Sequence, residues 1–247
     1  MLRVWHKLDH HFETPRANIF FALTCPQIYD TPRNCALCQL LVKLLDDALT
    51  ETTYLADVAQ LHTYCNMEGF RIDMRVDGFS HKLTLLGKHI FSHMVRSTLN
   101  RDRFAPVRES LLRALRNSLF SPGRHASFNR LLCLRPAALH VDDVLEALEA
   151  VSCDDVEHFR RHLIAHVHCE VLAHGNVGEG EAIAFVKEVR ALFPGPGLPA
   201  EAIPRERVIG LESGVAYLHR ARVRNPVETN SAVENYYQVG VDNVRDR

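Results

Sequence analysis

Apolar and polar residues alternate strictly along residues 70–77, and this alternation constrains the fold more than any other feature of the chain. The apolar members are Phe70, Ile72, Met74 and Val76, and charged residues stand between them. Residues 62–67 alternate in the same way before Glu68-Gly69, so we expect a hairpin whose second strand ends at Gly78. A sheet that contains this hairpin has one face buried and the other face in water.

Apolar residues recur at three- and four-residue spacing through most of the remaining chain, which predicts amphipathic helices. Two single strands interrupt them: an apolar run at residues 17–23, preceded by Pro15, and a run at residues 168–176 that Gly175 closes. This order indicates an α+β fold in which several helices cover an antiparallel sheet. The predicted helices comprise residues 33–49, 51–59, 82–99, 103–119, 126–134, 141–150, 154–167 and 181–193.

Composition excludes several classes of function. Of the 247 residues, 47% are hydrophobic and 24% charged, which is typical of a soluble globular protein. A formal net charge of -1 offers no electrostatic footprint for nucleic acid or an anionic membrane, so we expect partners to be recognised by shape. The amino terminus is too polar for a secretory signal, and no apolar stretch approaches the roughly 20 residues of a membrane helix. A cytoplasmic or organelle-matrix location is expected.

Seven scattered cysteines favour reduced thiols, because a chain of this size needs no disulfides to fold. Cys35 and Cys38 form the one suggestive pair. A redox or zinc role would call for a βαβ setting or a second pair, whereas these two lie in a run with helical periodicity. Packing in the hydrophobic core is the favoured interpretation.

Histidines suggest a metal site that their spacing does not support. His158, His162 and His166 stand one helical turn apart, and His89 and His93 form a similar pair without an intervening glutamate. On one straight helix, ligands eight residues apart are separated by about 12 Å, too far to share a tetrahedral zinc ion. The three histidines also fall to one side of the apolar face, towards solvent. No metal-binding, cofactor-binding or catalytic residue is therefore predicted.

The remaining polar clusters have structural explanations. Asp142-Asp143 and Asp154-Asp155 precede helices and suit their positive ends, so no catalytic dyad is required. His10-His11 is interpreted as a solvated entry segment, because adjacent strand residues point to opposite faces. Glu170 and His174 would share a strand face and could pair.

Three prolines and two glycines at residues 194–199 give the clearest break in the chain. We place a domain boundary there, with one domain over residues 1–200. Residues 201–247 are expected to hold a linker and three strands, at residues 207–211, 215–223 and 232–239, without a helix to cover them.

Dispersed motifs resemble a known family in order and spacing. The pattern E-x-x-Y-x-A-x-x-A-x-L begins at Glu51, and an R-F helix start lies at Arg103-Phe104. Residues 168–176 are similar to H-I-E-x-L-x-H-G-N, and residues 230–238 to N-S-x-x-x-x-Y-Y-Q. Further landmarks are Trp5, Lys7, Phe12, Pro15, Ala17, Pro26, Arg108 and Glu109. Together they resemble the third domain, and the start of the fourth, of the insulinase branch (insulin-degrading enzyme and nardilysin) of pitrilysin-type zinc metallopeptidases.

This resemblance implies a metallohydrolase-like peptidase fold without a catalytic site, since the family's His-x-x-Glu-His helix occurs nowhere in the sequence. In such enzymes zinc is held by the amino-terminal catalytic half, and the carboxy-terminal half closes a chamber around peptide substrates. The chain is then expected to be a non-catalytic part of a zinc metalloendopeptidase that is inactive alone. The alternative is a stand-alone, non-catalytic module that binds peptides or a partner subunit.

Overall fold

A five-stranded sheet forms the centre of the computed structural model, which describes residues 2–240. The strands lie in the order β1-β5-β2-β4-β3, so the last strand of the chain is inserted between the first two. Neighbouring strands are antiparallel, except that β1 pairs in parallel with β5 at one edge. The strands are β1 (Leu2–Leu8), β2 (Arg16–Thr24), β3 (Leu61–Glu68), β4 (Arg71–Phe79) and β5 (His168–Gly175).

Helices cover one face of this sheet. Helices α1, α3 and α8 contact the strands, and α4, α6 and α7 pack on the outer side of α1. The α+β class is therefore confirmed, with helical bounds within a few residues of those predicted. The helices are α1 (Pro32–Ala48), α2 (Thr50–Val58), α3 (Ser80–Arg96), α4 (Arg101–Ser118), α5 (Pro122–Leu134), α6 (Val141–Ala150), α7 (Cys153–Ala165) and α8 (Glu179–Leu192).

An aromatic cluster holds the sheet and the helices together. The ring of Phe21 on β2 lies 4.6 Å from that of Phe91 on α3 and 5.9 Å from that of Phe185 on α8, both edge to face. Phe193, just after α8, adds a further contact 6.2 Å from Phe91. Each such pair stabilises the fold by about 0.5–1.5 kcal/mol beyond the area that it buries.

The paired aspartates lie at helix starts, as predicted. Ser152 and Asp155 form a reciprocal capping box at α7, in which the Asp155 amide donates to the Ser152 hydroxyl and the Ser152 amide donates to the carboxylate. Asp142 and Asp143 occupy the first turn of α6. The Asp155 carboxylate satisfies a free amide, and all of these carboxylates suit the positive helix ends, so they need no catalytic explanation.

Two glycines fix the end of the sheet where β2 begins. Gly78 and Gly175 lie directly opposite Ala17 on its two neighbouring strands. Both have positive φ, +134° and +110°, and a Cβ atom on Gly175 would lie 2.5 Å from the Arg16 carbonyl oxygen. Only glycine permits this close approach. Strand β4 continues one residue past Gly78, to Phe79, rather than ending at it.

The structure corrects two strand predictions. The sequence pattern predicts no strand before residue 17, but residues 2–8 form the parallel edge strand β1. Residues 207–211, 215–223 and 232–239 were predicted as strands, but within residues 2–240 no strand follows Gly175. Apolar alternation alone does not make a strand, since each strand needs a neighbour for its backbone hydrogen bonds.

Ion pairs with α5 and α6 hold the segment after Ile203 in place instead. Arg130 pairs with Glu234 at 2.6 Å, Arg224 with Asp142 at 2.6 Å, and Arg135 with Glu206. A backbone hydrogen bond from the Ile209 amide to the Leu134 carbonyl oxygen, 2.8 Å long, supports this segment as well. Most side chains of this segment remain exposed, so it contributes little to the core.

Candidate functional site

The face of the sheet opposite the helices carries a band of large side chains that is open to solvent. Strand register places one such residue from each strand in a single line, which we call the central row. Its four apolar or aromatic members are between 40% and 51% exposed. An open antiparallel face is usually polar, so this band marks a surface suited to binding. Across the sheet the central row reads Trp5, Leu172, Phe20, Arg75 and Tyr64.

Polar rows flank the central row on both sides. Between the central row and the first of them lies a shallow groove of about 390 Å³. Acidic and basic groups occur in both polar rows, so this face presents an apolar strip between charged borders. The first polar row is Arg3, Glu170, Ala22, Asp73 and Asn66, and the second is Lys7, His174, Asn18, Asp77 and His62.

Trp5 ends the central row on the β1 side, held by one acidic and one basic neighbour. The Arg3 guanidinium lies 4.5 Å from the centre of the indole ring, a cation–π contact. The indole Nε1 donates a hydrogen bond to Glu170 at 3.3 Å, and Glu170 also pairs with Arg3 at 3.6 Å. These contacts orient the ring while leaving about half of it open to a ligand.

A similar arrangement surrounds Tyr64 at the β3 end of the row. The Arg75 guanidinium lies 6.0 Å from the phenol ring and pairs with Asp77 at 2.9 Å. Next to it, Arg71 pairs with Asp73 at 2.8 Å. Exposed ion pairs of this kind contribute only about 0–1 kcal/mol each, so a ligand's own charges can replace them at little cost.

The histidines considered from sequence do not assemble into a metal site. On α7 the rings of His162 and His166 stack 4.2 Å apart, and His166 Nδ1 lies 2.9 Å from the His162 carbonyl oxygen, while His158 is exposed. Burial, followed by the two neighbouring histidines, lowers the pKa of His162. Within residues 2–240 no three His, Cys, Asp or Glu side chains are grouped to hold a metal ion.

Other histidines have local partners. His93 on α3 lies 3.0 Å from the Ser97 hydroxyl, and burial lowers its pKa. Glu170 and His174 lie in different polar rows on opposite sides of Leu172, and the Glu170 carboxylate contacts Arg3 and Trp5 instead. The pairing of Glu170 with His174 is therefore not formed.

Cys35 and Cys38 pack in the core, as predicted. Both are buried, and the Cys35 thiol accepts a hydrogen bond from the Gln39 amide at 3.3 Å. Burial raises the pKa of Cys35 to about 11 and that of Cys38 well above its ordinary value. Protonated, inaccessible thiols are poor nucleophiles and poor metal ligands.

Sequence reasoning did not single out the central row. The available signal was one large apolar or aromatic residue on the solvent face of four of the five strands, such as Tyr64 in the hairpin. Phe20 and Leu172 are each flanked by apolar residues on both sides, Ile19 and Phe21 or Val171 and Ala173, so their alternation with the buried face is not apparent. Only the register of the strands shows that these residues lie side by side.

The fold is that of an α+β domain whose largely antiparallel sheet is covered by helices on one face and open on the other. A family model described as the middle or third domain of peptidase M16 matches residues 1–147. The chain therefore belongs to the peptidase M16 family, of which it contains the middle domain.

Relatives of known identity agree with this assignment. The chain is 32% identical over 238 residues to a nardilysin-like protein of Arabidopsis thaliana, covering 96% of this chain and 23% of that protein. It is 27% identical over 252 residues to insulin-degrading enzyme of Homo sapiens, covering 100% and 24%. The chain thus spans about a quarter of the length of these relatives. The crystal structure of pitrilysin superposes with a TM-score of 0.73 at 18% identity, covering 78% of this chain and 21% of that one.

No helix within residues 2–240 is long and apolar enough to cross a membrane.

Proposed function

We propose that this chain acts as a non-catalytic middle domain of an insulin-degrading-enzyme-like zinc metalloendopeptidase, with the open face of its sheet lining a peptide-enclosing chamber. The central row carries this proposal, because the helices leave uncovered a face that presents four large apolar side chains. An apolar strip with charged borders is suited to binding extended peptides, because peptides of different sequence share the same backbone although their side chains differ. The partner is the amino-terminal catalytic half of such a peptidase, and the ligands are peptide substrates rather than nucleic acid or membrane.

The non-catalytic role rests on chemistry that the chain does not supply. Hydrolysis at zinc requires three ordered protein ligands, an open position for water and a base. The sequence has no His-x-x-Glu-His, and the described residues group no three metal-ligating side chains. The residues present therefore do not fit a zinc site, and the metal belongs to the partner half.

We also propose a domain boundary near residue 200, with residues 201–247 as a linker and the start of the fourth domain. The chain would act in the cytoplasm or an organelle matrix, where reduced cysteines such as Cys35 and Cys38 persist.

Tryptophan fluorescence tests the binding face directly, because the single tryptophan of the chain, Trp5, lies in the central row. Titration with unstructured apolar peptides should change the emission saturably. Replacing Phe20 and Leu172 together by serine should weaken binding by roughly tenfold or more, since these side chains supply apolar contact area. Leu85→Ser is the matched control, because Leu85 is an equally apolar, 62% exposed residue on helix α3. Equal affinity of the double variant and the wild type would refute the proposed face.

Hydrolysis assays test the non-catalytic role. The purified chain should not cleave a quenched fluorescent peptide, with or without zinc. Adding the amino-terminal half of an M16 relative should restore chelator-sensitive cleavage. Chelator-sensitive turnover by the chain alone, if it survived replacement of His158, His162 and His166 by alanine, would overturn the proposal.

A further inference from the structure

Strand β3 forms an outer edge of the sheet. Its neighbour is β4, and no strand within residues 2–240 pairs with its other side. In an antiparallel pair, alternate residues exchange hydrogen bonds with the neighbour, so the other backbone groups of β3 point outwards. Outward-pointing amides and carbonyls can bind a further extended segment by strand addition.

A cleft of about 570 Å³ opens on the helical side of β3, next to this free edge. Its floor is apolar, formed by Phe21, Ile90 and Phe91 from the core. Its polar border comes from helices α1 and α2 and from β3 itself. We call it the edge cleft, and its polar lining includes Lys43, Asp46, Thr53, Asp57, Thr63 and Asn66.

The mouth of the edge cleft is acidic. Asp46 lies 3.4 Å from the Lys43 ammonium, and Asp57 lies 3.0 Å from His62 Nδ1. Among the described residues, the Asp57 carboxylate contacts this imidazole and pairs with no lysine or arginine side chain. Arg75 also borders the cleft, but its guanidinium pairs with Asp77. The Asp57 carboxylate is therefore available to pair with a cationic group of a ligand above the apolar floor.

Helix α2 adds an apolar surface beside the cleft. Tyr54, Leu55 and Val58 are 68%, 68% and 69% exposed, while Thr53 and Asp57 of the same helix line the cleft. Residues two apart on a strand lie about 7 Å from one another on the same side. A strand added to β3 can thus direct one side chain into the cleft and a second towards α2.

We propose that the β3 edge binds an extended peptide as a sixth strand, with a lysine or arginine side chain in the edge cleft. The aliphatic stem of that side chain packs on the apolar floor, and its charged end pairs with Asp46 and Asp57. Lysine and arginine suit this site because both combine a long apolar stem with a cationic tip. An apolar residue two positions away contacts Tyr54 and Val58. This site goes beyond the proposed function, since it lies at the outer edge of β3 and on the helical side of the sheet, and it shares only Tyr64 and Arg75 with the central row.

Peptide binding measured by fluorescence anisotropy tests the inference. The probes are labelled, extended peptides of about seven residues that differ only at the central position, which is lysine, leucine or glutamate. The lysine peptide should bind at least roughly tenfold more tightly than the leucine peptide, and the glutamate peptide most weakly. Equal affinities for the three peptides would refute the edge cleft as the site of recognition.

Variants of the chain test the residues. Replacing Asp46 and Asp57 together by asparagine should remove the preference for lysine, whereas Asp143→Asn, an exposed change on α6, should leave it intact. An unchanged lysine preference in the double variant would overturn the assignment.

The wild-type chain supplies an independent test of strand addition. Peptide binding should slow amide hydrogen exchange in residues 61–68 but not in residues 2–8. N-methylation of alternate amides of the peptide should abolish this binding. Protection of residues 2–8 instead would contradict the proposal. The double variant with Phe20→Ser and Leu172→Ser should leave peptide binding at the β3 edge unchanged. This result distinguishes failure of the edge-cleft proposal from failure of the proposed chamber face.

Discussion

His168 is the most strongly constrained histidine of the sheet. It begins β5 with only 4% of its surface exposed, and its Nδ1 atom has no hydrogen-bond partner. Burial lowers its pKa, against the opposing effect of a hydrogen bond with the Leu198 backbone. The neutral ring therefore fits the folded state, and the protonated ring does not.

Acidification should destabilise the protein through this residue. Below the ordinary histidine pKa of about 6.5, the unfolded chain binds a proton that folded His168 resists, so the free energy of unfolding falls with pH. His93, His125 and His162 act in the same direction, because burial lowers their pKa values too. Urea unfolding at pH values between about 7.5 and 5.5 should show a smaller decrease in the free energy of unfolding for His168→Gln than for the wild type. The exposed variant His10→Gln should follow the wild type, and an equal slope for His168→Gln would contradict this account.

Thiol reactivity should follow burial residue by residue. Cys133 is exposed, whereas burial raises the pKa of Cys65 and of Cys169 to about 12. A thiol reagent near neutral pH should therefore modify one cysteine quickly, and Cys133→Ser should remove that fast reaction. All seven cysteines should react in denaturant. Fast modification of Cys35 or Cys38 in the folded protein would show that α1 is less tightly packed than described.

At the scale of elements, the glycine opposite Ala17 determines how closely β2 and β5 approach. Gly175→Ala should lower the free energy of unfolding by about 1–3 kcal/mol, because its φ is positive and the added Cβ meets the Arg16 carbonyl. Gly180→Ala is the matched control: α8 is helical there, and no atom lies within 4 Å of the new Cβ. That variant should be neutral or more stable by up to about 1 kcal/mol. Equal stability of the two variants, measured by chemical denaturation, would exclude the steric explanation.

Local periodicity predicted the elements whose neighbours are close in sequence. Phe70 to Val76 revealed the hairpin, and the apolar stripe of α7 revealed a helix. Strand β1 was missed although Leu2, Val4 and Leu8 alternate with polar residues, because its partner lies more than 160 residues away. Residues 232–239 are rich in strand-forming residues, but no segment within residues 2–240 pairs with them as a strand. The central row could not be predicted at all, since it exists only through the register of five strands.

At the scale of the whole molecule, the core is complete before the last quarter of the chain. Phe193 is the last residue of the buried core, and the segment from residue 206 to residue 240 is fixed mainly by surface ion pairs. A fragment of residues 1–205 should therefore fold, with a midpoint of thermal unfolding within about 4 °C of the full chain.

A fragment of residues 1–192 is the informative comparison. It lacks Phe193, which contacts Phe91, and it lacks the carbonyls of Phe193 and Gly195 that accept hydrogen bonds from Arg190. It should unfold well below the longer fragment. Circular dichroism during heating would measure both, and failure of residues 1–205 to fold would show that the later segment is part of this domain.

The insertion of β5 between β1 and β2 has a consequence for the order of events during synthesis. Strands β2, β3 and β4 can pair as soon as residue 79 has been made, but β1 must wait for residues 168–175, its neighbours in the sheet. The matched family region, residues 1–147, ends before that strand. The sheet can thus be assembled from its β3 edge towards β1, so the first strand to be synthesised is among the last to pair. Until then Trp5 has no strand beside it, so the central row forms only when the domain is nearly complete.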